Sequence, residues 1–229
     1  MTGRGWLLTF EGPEGAGKTT QADGLRRAAV GAGVDVVLTR EPGGTEVGEH
    51  VRAIVLDPAA AHLARTDALL FNAARAQLVE EILRPALARG ALAISTRFAD
   101  STLAYQGYGA GLPLDQLRAL EALATGGLRP DLTILLDLAP EIGLGRKAAE
   151  RTRFETAFGL EFHTRVREGF LALAAAEPGR FAVLDASQPG PAVTRAVLAA
   201  AARLPGLEPL SQTSSPNGEP ERAGLRIHP

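Results

Sequence analysis

Phe10-Glu11-Gly12-Pro13-Glu14-Gly15-Ala16-Gly17-Lys18-Thr19-Thr20 is the stretch from which the fold is read. Gly12 to Thr19 has the spacing GxxxxGK[ST]. An apolar run, Trp6 to Phe10, precedes it and a helical pattern, Lys18 to Ala32, follows it. Strand, glycine loop and helix in that order make a phosphate-binding loop. The glycines let successive backbone N–H groups approach phosphate oxygens with no Cβ in the way, and the helix N-terminus adds partial positive charge. Lys18 then reaches the β- and γ-phosphates of a nucleoside triphosphate, and the Thr19 hydroxyl is placed to ligate Mg²⁺. Of the 24 basic residues only Lys18 and Lys147 are lysine, so a lysine here, where arginine is the default cation, points to a need for a compact charge on a flexible stem.

Outward from this loop, four more apolar runs recur: Val34 to Leu38, Ala91 to Ser95, Leu132 to Leu136 and Phe181 to Leu184. They are mostly continuous rather than alternating, as suits strands buried on both faces. Helical patterns separate them, over Gly44 to Leu56, Arg65 to Arg89, Pro113 to Thr125, Pro140 to Ala149, Glu155 to Ala176 and, after the last strand, Ala192 to Leu204. Strands joined by helices must run parallel, so the chain is predicted to be a doubly wound α/β domain with a five-stranded parallel sheet and helices on both faces. Its domain is expected over residues 1–204. Polar residues stand at each strand end: Glu11, Arg40, Thr96 with Arg97, Asp137 and Asp185. Ligands of open α/β sheets bind outside those ends, so these side chains are expected to face one site, although polar residues also occur wherever strands reach the surface. From Pro205 to Pro229 the composition turns to Pro, Ser, Gly, Glu and Arg, which predicts a disordered tail.

The chain has 229 residues and a net charge of -2, with no excess of positive charge for wrapping nucleic acid. With no cysteine it makes no disulfide, thiolate zinc site or cysteine nucleophile. His50, His62, His163 and His228 have no metal-ligand spacing, which leaves a hard, oxygen-bound ion such as Mg²⁺. No signal peptide and no apolar stretch of membrane-spanning length is visible, and a cytoplasmic protein is expected.

Several ordered blocks narrow the choice among phosphate-loop proteins. They are Phe10 to Thr20, Thr39-Arg40-Glu41-Pro42-Gly43-Gly44-Thr45, Leu70-Phe71-Asn72-Ala73-Ala74-Arg75 and Arg97-Phe98-Ala99-Asp100-Ser101-Thr102-Leu103-Ala104-Tyr105-Gln106-Gly107, followed by Arg129-Pro130-Asp131-Leu132 and Asp185-Ala186-Ser187-Gln188-Pro189. From Trp6 to Leu204 the chain resembles thymidylate kinases of the bacterial type, which are P-loop nucleoside monophosphate kinases. The resemblance implies ATP as donor, dTMP as acceptor, Mg²⁺ and a homodimer, with no nucleic-acid or membrane partner.

On this resemblance Gly12, Pro13, Glu14, Gly15, Ala16, Gly17, Lys18, Thr19 and Thr20 hold ATP, while Arg146 stacks on adenine with Ser187, Gln188 and Pro189 closing the other side. Phe71 stacks on thymine and Arg75, four residues on, contacts its O4; taken without the resemblance, the pair reads more readily as a core phenylalanine and a solvated charge. Arg97 grips the acceptor phosphate as a fork, with Arg40, Glu41 and Glu11 nearby, and Glu11 joins Thr19 as a candidate metal ligand. Tyr105 and Gln106 lie in a short helical segment beside the deoxyribose. Ser101 and Thr102 reach the base edge, Ser101 reading equally as a helix N-cap. Residues 143–155 fall where such kinases carry a lid. Because the loop offers Glu14 rather than an arginine, the lid must supply one, and Arg151 and Arg153 are the candidates. Where family members have Asp-Arg, this chain has Thr96-Arg97. A neutral hydroxyl in place of a carboxylate implies a slow enzyme or a nucleotide-binding relative without turnover; separately, a kinase of another nucleoside monophosphate is the alternative enzymatic reading.

Overall fold

Successive apolar residues are satisfied where both faces of a strand are buried, as in the runs at Trp6, Leu92 and Leu132; the runs at Val36 and Phe181 form the edge strands and stay partly exposed. The computed structural model describes residues 4–146 and 158–212. Its strands are β1 (Trp6–Glu11), β2 (Val36–Arg40), β3 (Leu92–Thr96), β4 (Leu132–Asp137) and β5 (Phe181–Asp185). They lie in the order β2-β3-β1-β4-β5, and every pair is parallel. This is the predicted doubly wound sheet. β2 and β3 run slightly past their apolar runs, because Arg40 and Thr96 are register partners across the ladder.

The helices are α1 (Lys18–Gly31), α2 (Glu46–Leu56), α3 (Ala64–Leu78), α4 (Arg84–Ala88), α5 (Ala99–Thr102), α6 (Leu114–Thr125), α7 (Pro140–Arg146), α8 (Leu160–Ala176) and α9 (Gly190–Ala201). Leu8, Phe10, Ile94, Ile134 and Leu136 pack on one face of the sheet with Leu25 and Ala28 of α1 and Val193 and Val197 of α9. Leu7 and Ala93 meet Leu78 and Leu83 on the other, where Leu135 packs with Phe170 of α8. Each such side chain, fully buried, contributes about 1.5–3 kcal/mol.

The single helix predicted over Arg65 to Arg89 is instead α3, a π turn over Val79–Leu83, and α4. Pro85 supplies the reason: it has no N–H to donate to a carbonyl in the preceding turn. A second π segment, Leu103–Gly109, continues α5 and carries Tyr105 and Gln106. The boundary placed at 204 is also corrected. Pro205 accepts a hydrogen bond from Trp6 Nε1 (2.9 Å), and Leu207 and Leu210 are buried in the α1–α9 core, so the packed domain reaches at least to residue 212. The rest of the predicted tail, from 213, lies outside the described residues, as do Lys147, Arg151 and Arg153 of the lid. Among the described residues no helix is long and apolar enough to cross a membrane.

Candidate active site

The loop between β1 and α1 is shaped by close backbone contacts. A Cβ on Gly12 would stand 2.4 Å from the Leu136 carbonyl oxygen, and one on Gly15 would stand 2.2 Å from that of Gly143 in α7. Both glycines also have positive φ, so no other residue fits. α1 begins at Lys18 with no side-chain cap, which leaves its first N–H groups for an anion. Lys18 Nζ is folded onto the loop, donating to the carbonyls of Gly12 (2.9 Å) and Pro13 (2.7 Å). Thr19 and Thr20 are exposed beside it. Arg146 approaches from α7, donating to the carbonyls of Gly15 and Ala186 at 3.3 Å, and Ser187, Gln188 and Pro189 follow Ala186 at the surface.

The loop forms one wall of a cleft of about 640 Å³. Opposite stand Arg40, Arg52 and Arg97, with Phe71, Arg75 and Tyr105 deeper in the lining. Arg40 is held by Glu49 through Nη2 at 2.9 and 3.2 Å. Arg52 donates to the Pro42 carbonyl (3.0 Å). Burial lowers the Arg52 pKa, and the like charges of Arg40 and Arg97 lower it further; an anion placed among the three would relieve that repulsion. Arg97 has φ 70°, the left-handed region, which costs a non-glycine residue about 1–3 kcal/mol and is a known mark of functional positions. Burial works against its charge, but Glu14 and Tyr105 outweigh this and hold its pKa above the ordinary value.

The Glu14 backbone stays with the loop in the lining, while its carboxylate binds Arg97 and accepts from the Tyr105 hydroxyl (2.8 Å). Glu11 is a correction. It is 0% exposed and absent from the lining, because its Oε1 accepts from Phe98 N (2.7 Å) and its Oε2 from Ser101 Oγ (2.6 Å). It therefore faces neither a nucleotide nor a metal. Nor do all strand ends share one site: Asp137 pairs with Arg167 (2.7 and 2.8 Å), and Asp185 binds Ser187 and Gln188. Ser101, bonded to Glu11, is not an N-cap, a position taken by Phe98.

Phe71 is half-buried and lines the cleft. Arg75 is 1% exposed, so it is not a solvated charge. Its Nε donates to Glu41 Oε2 (2.9 Å), Nη1 to Asn72 Oδ1 (3.0 Å) and Thr102 Oγ1 (3.1 Å), and Nη2 to the Phe98 carbonyl (3.0 Å) and the same Thr102 oxygen. Nη1 and Nη2 share Thr102, and that shared pair is what a carbonyl entering from the cleft would compete for. Burial raises the Glu41 pKa against the lowering by Arg75. Gln106 is buried and lines the same cleft.

Glu121 of α6 belongs to the same buried charge group. Burial, then the charges of Asp100 and Glu11, push its pKa up to about 8 against the lowering by Arg75 and Arg118. A folded pKa above the unfolded one means that the folded chain keeps a proton the unfolded chain has lost. The corresponding stability is complete below pH 4.5 and is lost as pH rises to about 8. Thermal melts at both ends of that range should show a smaller decline for Glu121→Gln than for the parent chain; parallel declines would mean that the carboxyl is ionised throughout.

Residues 10–197 match the family model for thymidylate kinase. The chain belongs to the thymidylate kinase family. It is 55% identical over 188 residues to a thymidylate kinase of Deinococcus radiodurans, covering 81% of this chain and 91% of that one. A thymidylate kinase of Desulfovibrio desulfuricans is 52% identical over 194 residues, covering 80% and 88%. The crystal structure of a thymidylate kinase from Ehrlichia chaffeensis superposes with a TM-score of 0.67 at 35% identity, covering 79% of this chain and 93% of that one.

Within this family member Arg52 is a charged lining residue that sequence reasoning passed over. It lies beyond the Thr39 to Thr45 block, on α2, where an arginine reads as an ordinary helix charge. The available signal was spacing: Thr45 caps α2, its Oγ1 accepting from Gly48 N at 3.0 Å, and Arg52 follows two turns on, back over the Pro42 carbonyl.

Proposed function

We propose that this thymidylate kinase family member transfers the terminal phosphoryl group of ATP to dTMP, giving dTDP and ADP. The observation that carries the reading is one cleft with an uncapped helix start and Lys18 on one wall and Arg40, Arg52, Arg97 and Phe71 on the other. The first wall suits a triphosphate and the second a monophosphate with its base. Lys18 leaves the Gly12 and Pro13 carbonyls for the β- and γ-phosphates, and the guanidiniums hold the acceptor phosphate in line. No general base is required, because an acceptor phosphate is already anionic at neutral pH. Phe71 supplies a stacking face for thymine, and Arg75 with Thr102 and Gln106 its polar edge. Tyr105, bound to Glu14, fills space beside the sugar. Arg146 with Ser187, Gln188 and Pro189 is assigned to adenine, and Arg151 or Arg153 to the transferring group.

Mg²⁺ fits this donor set in the manner of phosphate-loop proteins. The exposed Thr19 hydroxyl would be one ligand, with phosphate oxygens and water as the others; among the described residues no cluster of three or more His, Cys, Asp or Glu side chains forms a separate metal cage. When bound, the ion would supply neutralisation of the triphosphate charge. A homodimer accompanies the family reading, and α2, α3 and α6 offer Ile54, Leu69 and Leu123 as exposed apolar residues for it.

A coupled assay of ADP formation, run with dTMP, dUMP, UMP and dCMP in turn, tests the assignment. ADP release is expected with dTMP in clear preference to UMP; saturable nucleotide binding without ADP release would overturn it. Thr96 lines the cleft at 8% exposure beside Arg97. A missing charged contact there costs about 2–4 kcal/mol of transition-state stabilisation, so Thr96→Asp is expected to raise kcat by about tenfold or more. Unchanged or lower turnover in a folded variant removes that role for the position.

A further inference from the structure

The turn that carries Arg97 joins β3 to α5. It is held from beneath. Arg97 N donates to the Phe10 carbonyl at 2.9 Å, and Glu11 then takes three hydrogen bonds from the same turn: Phe98 N at 2.7 Å, Ser101 N at 3.3 Å and Ser101 Oγ at 2.6 Å. Ser101 Oγ in turn accepts from Arg97 Nη1 at 3.2 Å. A continuous path of hydrogen bonds therefore leads from a fully buried carboxylate, through one hydroxyl, to a guanidinium of the cleft. The far side of the turn is tied separately, where Arg180 at the start of β5 grips both oxygens of Asp100 (2.7 and 2.9 Å).

We propose that Glu11 is a positioning residue for the acceptor side: from the strand that feeds the phosphate loop, it sets the Arg97–Ser101 turn and, through Ser101, the reach of the Arg97 guanidinium into the cleft. This rests on the reading of Arg97 as the monophosphate ligand. Arg97 stands in a left-handed conformation, which persists only where the surroundings over-determine it, and the Glu11 clamp is such a surrounding. The carboxylate is also kept at a cost, since burial and the charge of Asp100 both oppose its ionisation and bring its pKa to about 7. A side chain serving only to fill the core would be apolar there. The position also joins the two walls, because the residue after Glu11 is Gly12 of the loop.

The test is steady-state kinetics of the full chain carrying Glu11→Gln or Glu11→Asp, after dTMP-dependent ADP release by the parent has been established. Glutamine presents an amide N–H₂ where one carboxylate oxygen accepted, and aspartate keeps the charge but falls short of one partner. Glu11→Gln is expected to raise KM for dTMP about fivefold or more, with KM for ATP changed less than about twofold, and Glu11→Asp to fall between. Equal changes in both KM values, or none, would overturn the proposal. If Glu11→Gln does not fold, Ser101→Ala cuts the same path and must show the same selective rise; wild-type KM for dTMP in that variant overturns it. A parent chain without dTMP-dependent activity would instead remove the functional reading on which the proposal stands.

Discussion

Lys18→Ala is expected to lower kcat by about a thousandfold while leaving the fold intact. Lys18 is 9% exposed and its ammonium holds two loop carbonyls, so its transfer to phosphate is an exchange of partners. Losing one preorganised charge at the transferring group costs about 2.7–4 kcal/mol, or a hundred- to a thousandfold in rate. The upper end applies here, because the loop's variable positions hold Pro13, Glu14, Gly15 and Ala16 and provide no second cation. Lys18→Arg should restore little, since a planar fork cannot fold onto the two carbonyls as the flexible stem does. Turnover measured with saturating ATP and dTMP, beside a thermal melt of each variant, decides the matter. A folded Lys18→Ala chain within tenfold of parental kcat would show that the phosphoryl charge is met elsewhere.

Arg97→Ala is expected to reduce kcat/KM for dTMP by about a thousandfold, a loss of about 4 kcal/mol that corresponds to two charge-assisted hydrogen bonds. More is removed than an attraction. Arg97 neutralises Glu14, and its guanidinium lies 5.0 Å from the centre of the Tyr105 ring. Without it, the Glu14 carboxylate faces an incoming dianion. The double variant Arg97→Ala with Glu14→Gln should therefore recover part of the loss, whereas neither change alone should move KM for ATP by more than about twofold. Unaltered kcat/KM in Arg97→Ala would transfer the acceptor phosphate to Arg40 and Arg52 alone.

The polar cluster beneath the cleft shows how sequence and structure divide the work. Glu11, Arg40, Thr96, Asp137 and Asp185 look alike along the chain, each a polar residue ending an apolar strand. In the folded sheet successive side chains alternate between faces. Arg40 and Thr96 reach the cleft, Glu11 turns under the β3–α5 turn, Asp137 binds Arg167 of α8, and Asp185 binds its neighbours Ser187 and Gln188. Arg75 was legible as a functional candidate only through its block. Its burial among Glu41, Asn72, Phe98 and Thr102 brings together three separate stretches of chain.

What the sequence determined by itself was whatever depends on neighbours in the chain: the apolar runs that become strands, the glycine spacing that bends the loop, the lysine that follows it, and the helical repeats between. Those are short-range consequences of backbone freedom and hydropathy, and they suffice for a parallel sheet with a phosphate loop at the carboxyl end of a strand. The tertiary structure decided which way charged side chains point and what they meet. Arg52 entering the cleft, Glu14 crossing to Arg97, Glu11 withdrawing beneath Ser101 and Leu207 and Leu210 joining the core are all contacts between residues distant in sequence. Their energies arise only once burial removes water from between the partners, and no local pattern carries that information.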